Sequence, residues 1–175
     1  GAGSVFWFEL KQATEPQAAN HAAELANAAL VPSPGGGALY TLLYVEDNPA
    51  NLMLVEDIMA RRPDIRLLSA RDAVTGIKMA HSSQPDVILM DLMLPDASGL
   101  DLLVEFKTTN PEAQVIMVTG YGSVPKAVEA MKAGAFEFAE KPIDADALLA
   151  KLERAIERRE LLGVLRTRGE RQVGL

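Results

Sequence analysis

The chain lacks cysteine altogether, which excludes a disulfide framework and any thiolate metal site and fits a reducing cytoplasm. It has no apolar run of about eighteen residues, so no membrane-spanning helix and no membrane contact are expected. Nothing at its start, Gly1-Ala2-Gly3, resembles a signal peptide, and it reads as a piece of a longer protein. Aromatic residues are few, nine in all, and three of them are Phe6-Trp7-Phe8. Positive charge is also short, 17 Lys and Arg against 24 Asp and Glu. The net charge of −7 argues against general nucleic-acid binding. That deficit is uneven, because residues 151–175 carry seven basic residues against four Glu. A solvated helix face accounts for such a basic end, with contact to an acidic partner as the alternative.

What is present is globular in character, 49% hydrophobic and 23% charged over 175 residues. Residues 41–45, 65–68, 87–90, 115–118 and 135–139 read as short apolar strands. Helical spacing follows each of them, over 49–59, 72–81, 100–107, 124–132 and from Asp144 onward. Strands alternating with helices imply a doubly wound parallel α/β sheet covered on both faces. The stretch Val87-Ile88-Leu89-Met90-Asp91 is the centre of this pattern. Four apolar residues run into a carboxylate, as in a strand buried on both faces. Asp91 therefore stands at the carboxyl edge, where such sheets bind ligands.

Residues 4–10 look like one more strand, and Gly3-Ser4-Val5-Phe6-Trp7-Phe8-Glu9-Leu10 resembles the closing strand of the ATP-binding domain of sensor histidine kinases. Residues 11–39 have linker composition, with a short helix possible over 18–30. His21 lies there, followed by Ala22-Ala23-Glu24, and reads as an exposed linker histidine.

The strand ends carry the chemistry. Glu46-Asp47 follows the first strand, Asp91 ends the third, Thr119 the fourth, and Lys141-Pro142 follows the fifth. Singly, each acid is most often a cap or loop residue. Together on one sheet edge, three carboxylates repel and call for a cation. A hard divalent ion such as Mg²⁺ meets that need with oxygen ligands. Lys141 adds a fixed positive charge and Thr119 a hydroxyl, which describes a site where Asp91 is a nucleophile toward a phosphoryl group.

Residues 40–160 resemble the receiver domain of two-component signalling proteins. The acidic pair is Glu46-Asp47, and Asp91 opens the motif Asp-x-x-x-Pro-Asp-x-Ser-Gly. Thr119 and Lys141-Pro142 complete the set. The resemblance implies a flavodoxin-like sheet of order 2-1-3-4-5. It implies that Asp47, Asp91 and the backbone carbonyl of Met93 bind Mg²⁺, with Glu46 acting through water. Lys141 would contact the phosphoryl group through a cis Lys141–Pro142 segment, and Thr119 and Phe138 would form the switch. The donor would be a phosphohistidine on a histidine kinase or phosphotransfer protein, and the responding surface the fourth helix, fifth strand and fifth helix. Met93 and Tyr121 flank the place of an attacking water; in this family polar residues there speed loss of phosphate. Met93 offers no such group, so a phosphoryl lifetime of minutes or longer is expected.

Two parent proteins are implied. Residues 41–51 resemble receivers of hybrid histidine kinases, whereas residues 119–128 and 134–138 resemble those of transcriptional response regulators. The apolar spacing of Leu148, Leu152 and Ile156 continues through Leu161, Leu162 and Leu165, so residues 161–175 are a basic helical extension or a frayed tail. Homodimerisation through that helix, or through the switch surface, is a further expectation. Two competing readings remain. An aspartyl-phosphate phosphatase generally needs a second aspartate two residues on, where this chain has Met93. A phosphate-independent binding module has no need of Asp91, Thr119 and Lys141.

Overall fold

The computed structural model describes residues 39–120 and 124–172. The strand expected over 4–10, the linker helix, His21 and Tyr121 lie outside the described residues. Five strands, β1 (Tyr40–Val45), β2 (Ile65–Ala70), β3 (Val87–Asp91), β4 (Gln114–Thr119) and β5 (Glu137–Glu140), form one sheet. All pairings are parallel and the order is β2-β1-β3-β4-β5, as expected. Between and after them run α1 (Pro49–Met59), α2 (Ala73–Ser83), α3 (Gly99–Thr109), α4 (Val124–Lys132) and α5 (Ala145–Gln172).

Successive strand residues point to opposite faces, which splits the core in two. Leu42, Tyr44, Leu89, Ile116 and Val118 meet α1 and α5 through Leu52, Val55, Ile58, Leu148, Leu152 and Ile156. Leu43, Val45, Ile88, Met90, Val115 and Met117 meet α2, α3 and α4 through Ala80, Leu102, Leu103, Phe106 and Ala130. All five residues of β3 and all six of β4 are buried. Central strands buried on both faces show no polar alternation, which is why these runs were legible as strands.

Local chemistry sets where the helices begin and end. Pro49 opens α1, and Asn48 Oδ1 accepts a hydrogen bond from the Ala50 amide at 2.9 Å. Asp72 caps α2 by accepting from the Thr75 amide at 2.8 Å. The end of α4 corrects the expected fifth strand. Gly134, at φ 104°, donates to Met131 O, and Ala135 donates to Ala130 O. This left-handed cap takes up Ala135, so β5 begins at Glu137 rather than at residue 135.

Helix α5 continues through Gly163 to Gln172. Glu112, in the turn before β4, receives Arg159 at 2.8 Å and Arg166 at 3.0 Å. The two arginines are seven residues apart and so share one helix face. Tyr40 also donates its hydroxyl proton to Glu160. No helix among the described residues is long and apolar enough to cross a membrane.

Candidate functional site

Ladder hydrogen bonds place the reactive groups. The Glu46 amide donates to Ala70 O, the Leu92 amide to Val118 O, and the Lys141 amide to Thr119 O at 2.8 Å. Parallel strands in register thus bring the ends of β1, β3, β4 and β5 to one edge. There, carboxylate oxygens of Glu46, Asp47 and Asp91 lie within 4.8 Å of one another. Glu46 is fully buried and Asp91 nearly so, while Asp47 is exposed. Lys141 Nζ bridges the two buried acids, 2.5 Å from Asp91 Oδ2 and 2.9 Å from Glu46 Oε2. The Lys141–Pro142 peptide is cis.

The loop after Asp91 is folded back over the strand end. The Met93 amide donates to Asp91 Oδ1 at 2.9 Å, and the Gly99 amide donates to Leu92 O at 3.0 Å. At Gly99 a Cβ would lie 2.7 Å from Leu92 Cα and O and 2.8 Å from Asp91 O. The glycine of the Ser98-Gly99 motif is therefore a packing requirement that lets α3 start against the Asp91 loop. Asp96, from the same loop, accepts from the Ala73 amide at 3.0 Å and ties the loop to the start of α2.

Electrostatics follow from this geometry. Burial works to raise the pKa of Glu46, but hydrogen bonds from Lys141, Tyr44, Asn48 and Asn51 outweigh it and hold the carboxyl below its ordinary value. Burial likewise works against the Lys141 charge, and the contacts with Asp91 and Glu46 outweigh that and keep the ammonium protonated to higher pH. Burial, with Glu46 beside it, pushes the Tyr44 phenol far up.

Glu46, Asp47, Asp91 and Lys141 are thus brought together, with buried Thr119 bonded to Lys141 through its carbonyl. Phe138 and the Met93 side chain do not enter this cluster. Phe138 lies on β5 and is 38% exposed. The Met93 side chain is 64% exposed, its Sδ 3.4 Å from Lys126 Nζ. Sequence pattern did not mark Tyr44, whose hydroxyl donates to Glu46 Oε2 at 2.9 Å, or Asn51. The available signal was spacing, since residues 44 and 46 share one face of a strand.

Three carboxylates converging without a nitrogen or sulfur ligand form a hard oxygen donor set, which fits a small divalent cation such as Mg²⁺. Receiver domains generally bind Mg²⁺ through such acidic residues.

Known proteins are similar to this chain in sequence and in fold. The family model for the response regulator receiver domain matches residues 42–153. The response regulator protein PilR of Pseudomonas aeruginosa is 40% identical over 103 residues, covering 58% of this chain and 23% of PilR. The nitrogen assimilation regulatory protein NtrX of Azorhizobium caulinodans is 36% identical over 120 residues, 67% of this chain and 26% of NtrX. The chain thus spans about a quarter of the length of these curated relatives. A crystal structure of a response regulator receiver domain protein from Clostridium thermocellum superposes with a TM-score of 0.67 at 32% identity, covering 71% of this chain and 99% of that one. With that family model matching most of the chain, and with the sheet order and the acid cluster at its carboxyl edge, the chain belongs to the response regulator receiver domains of two-component signalling.

Proposed function

We propose that this domain takes a phosphoryl group onto Asp91 from a phosphohistidine of a histidine kinase or phosphotransfer protein. The observation that carries the proposal is Lys141 Nζ, bridging Asp91 and Glu46 at the sheet edge beside Asp47. A lysine so placed offers charge-assisted hydrogen bonds to anionic oxygens next to the nucleophile.

An Asp91 carboxylate oxygen attacks phosphorus in line, and the phosphorus–nitrogen bond breaks with its electron pair going to the donor imidazole. Lys141 meets the charge on the transferring oxygens. Asp47, Asp91 and the Met93 carbonyl would hold Mg²⁺ directly, and Glu46 through water. When bound, Mg²⁺ supplies further neutralisation of those oxygens. The acyl phosphate on Asp91 adds about −1.5 to −2 charges. Thr119 turns its hydroxyl toward that group, Phe138 moves inward from its exposed position, and the α4-β5-α5 surface shifts between two packings.

Met93, with its side chain in solvent, supports the slow-hydrolysis reading. A transcriptional regulatory protein by name, GlrR of Escherichia coli, is also among the relatives, which favours a transcription-regulator parent over a hybrid kinase. The test is acetyl phosphate with Mg²⁺, followed by intact mass. The chain gains one phosphoryl group, and Asp91→Asn gains none. A gain that persists in Asp91→Asn, or turnover of added phosphoesters, overturns the proposal.

A further inference from the structure

We infer that Tyr44 is a positioning residue for this site, assigning the two oxygens of Glu46 to different tasks. The inference rests on the phosphoacceptor reading above. Glu46 is fully buried, so each of its oxygens needs a donor. Oε2 takes two, the Tyr44 hydroxyl at 2.9 Å and Lys141 Nζ at 2.9 Å. Oε1 takes the Asn48 amide at 3.1 Å, and the Asn51 side chain is a further donor to this carboxylate. With Oε2 engaged by Tyr44 and Lys141, Oε1 is the oxygen that would face a water held by Mg²⁺.

The second consequence concerns Lys141. Its ammonium is shared between Glu46 and Asp91, and the arrival of a phosphoryl group on Asp91 draws it toward the new oxygens. As it leaves Glu46, the buried carboxylate loses its nearest cation. Tyr44 cannot follow, because it is buried among Leu42, Leu89 and Val118 on a strand paired on both sides. It is therefore the donor that stays on Oε2, and it holds that oxygen in place while Lys141 is engaged elsewhere. Phe has the same ring and no proton to give. Tyr44→Phe thus removes the donor and leaves the packing.

The experiment is a double-mutant cycle with Tyr44→Phe, Glu46→Gln and the pair, read by Mg²⁺ titration calorimetry and by tyrosine ultraviolet difference absorption, with thermal unfolding as a check on folding. Tyr44→Phe weakens Mg²⁺ binding by about tenfold, the scale of one hydrogen bond to a charged group. In the Glu46→Gln background the same change has an effect within about twofold, because the charged acceptor is gone. Mg²⁺ perturbs the tyrosine spectrum of a Tyr121→Phe chain, and that signal disappears when Tyr44→Phe is added. Equal Mg²⁺ affinity in Tyr44→Phe, or an equal loss in both backgrounds, overturns the assignment. Absence of Asp91 phosphorylation in a chain that still shows the coupling would instead overturn the phosphoacceptor reading alone.

Discussion

Lys141 Nζ lies 2.5 Å from Asp91 Oδ2, although fifty residues separate them. The contact exists because β5 pairs with β4 and β4 with β3, so the chain segments after them emerge side by side. Without a cation such as this, the buried acids would repel one another.

Replacing Lys141 by Met should separate binding from chemistry. Removing one positive charge from beside three carboxylates strengthens their attraction for Mg²⁺, so affinity rises at least several-fold. Transfer from acetyl phosphate slows by about tenfold or more, since a charge-assisted contact to the transferring oxygens is gone. Calorimetry and rapid-quench mass measurement read the two effects; weaker Mg²⁺ binding would contradict this account.

Stability should fall on both sides of neutrality for identifiable reasons. Glu46 has a depressed folded-state value against an ordinary 4.5, so its contribution is complete above that pH and is lost as pH falls through the lower folded value. Lys141 is raised against an ordinary 10.5, so its contribution is complete below that pH and is lost as pH rises through the higher folded value. Urea unfolding from about pH 3 to 7 should show an acid limb that flattens in Glu46→Gln.

Gly99→Ala should be costly for a single methyl group. Its Cβ meets backbone atoms of Leu92 and Asp91 at 2.7–2.8 Å, and backbone cannot rotate away. A loss of about 2–3 kcal/mol is expected, in the range of overpacking. Denaturant unfolding measures it, and phosphoryl uptake by Asp91 should fall as well because the loop is displaced.

Met93 governs lifetime in this reading. Met93→Glu places a carboxylate where an attacking water would stand and should shorten the acyl phosphate several-fold, whereas Met93→Leu should leave it unchanged. Decay of the phosphorylated mass at neutral pH with Mg²⁺ decides the point. Loss within seconds from the unsubstituted chain would refute slow hydrolysis.

Glu112 joins the distal part of α5 to the turn before β4. Glu112→Ala removes one partner of Arg159 and one of Arg166, contacts worth about 0.5–1 kcal/mol each at this exposure. Amide exchange should quicken several-fold over residues 163–172, with little change in the sheet.

Alternating apolar strands and amphipathic helices determined, from the sequence alone, that the described chain is a parallel α/β sheet with its acids and Lys141 at strand ends. Those signals are local, since a strand buried on both faces is apolar throughout, and a helix repeats its buried face every turn. Boundaries were legible to within about two residues, and β5 slipped because the left-handed cap at Gly134 reaches past the helix into Ala135. Tertiary structure alone decided that Lys141 bridges Asp91 and Glu46, that Tyr44 rather than solvent serves Glu46, and that Gly99 must lack a side chain. Each of these depends on which strands are neighbours and in what register. A one-residue slip in pairing would move Tyr44 and Glu46 to the opposite face of the sheet.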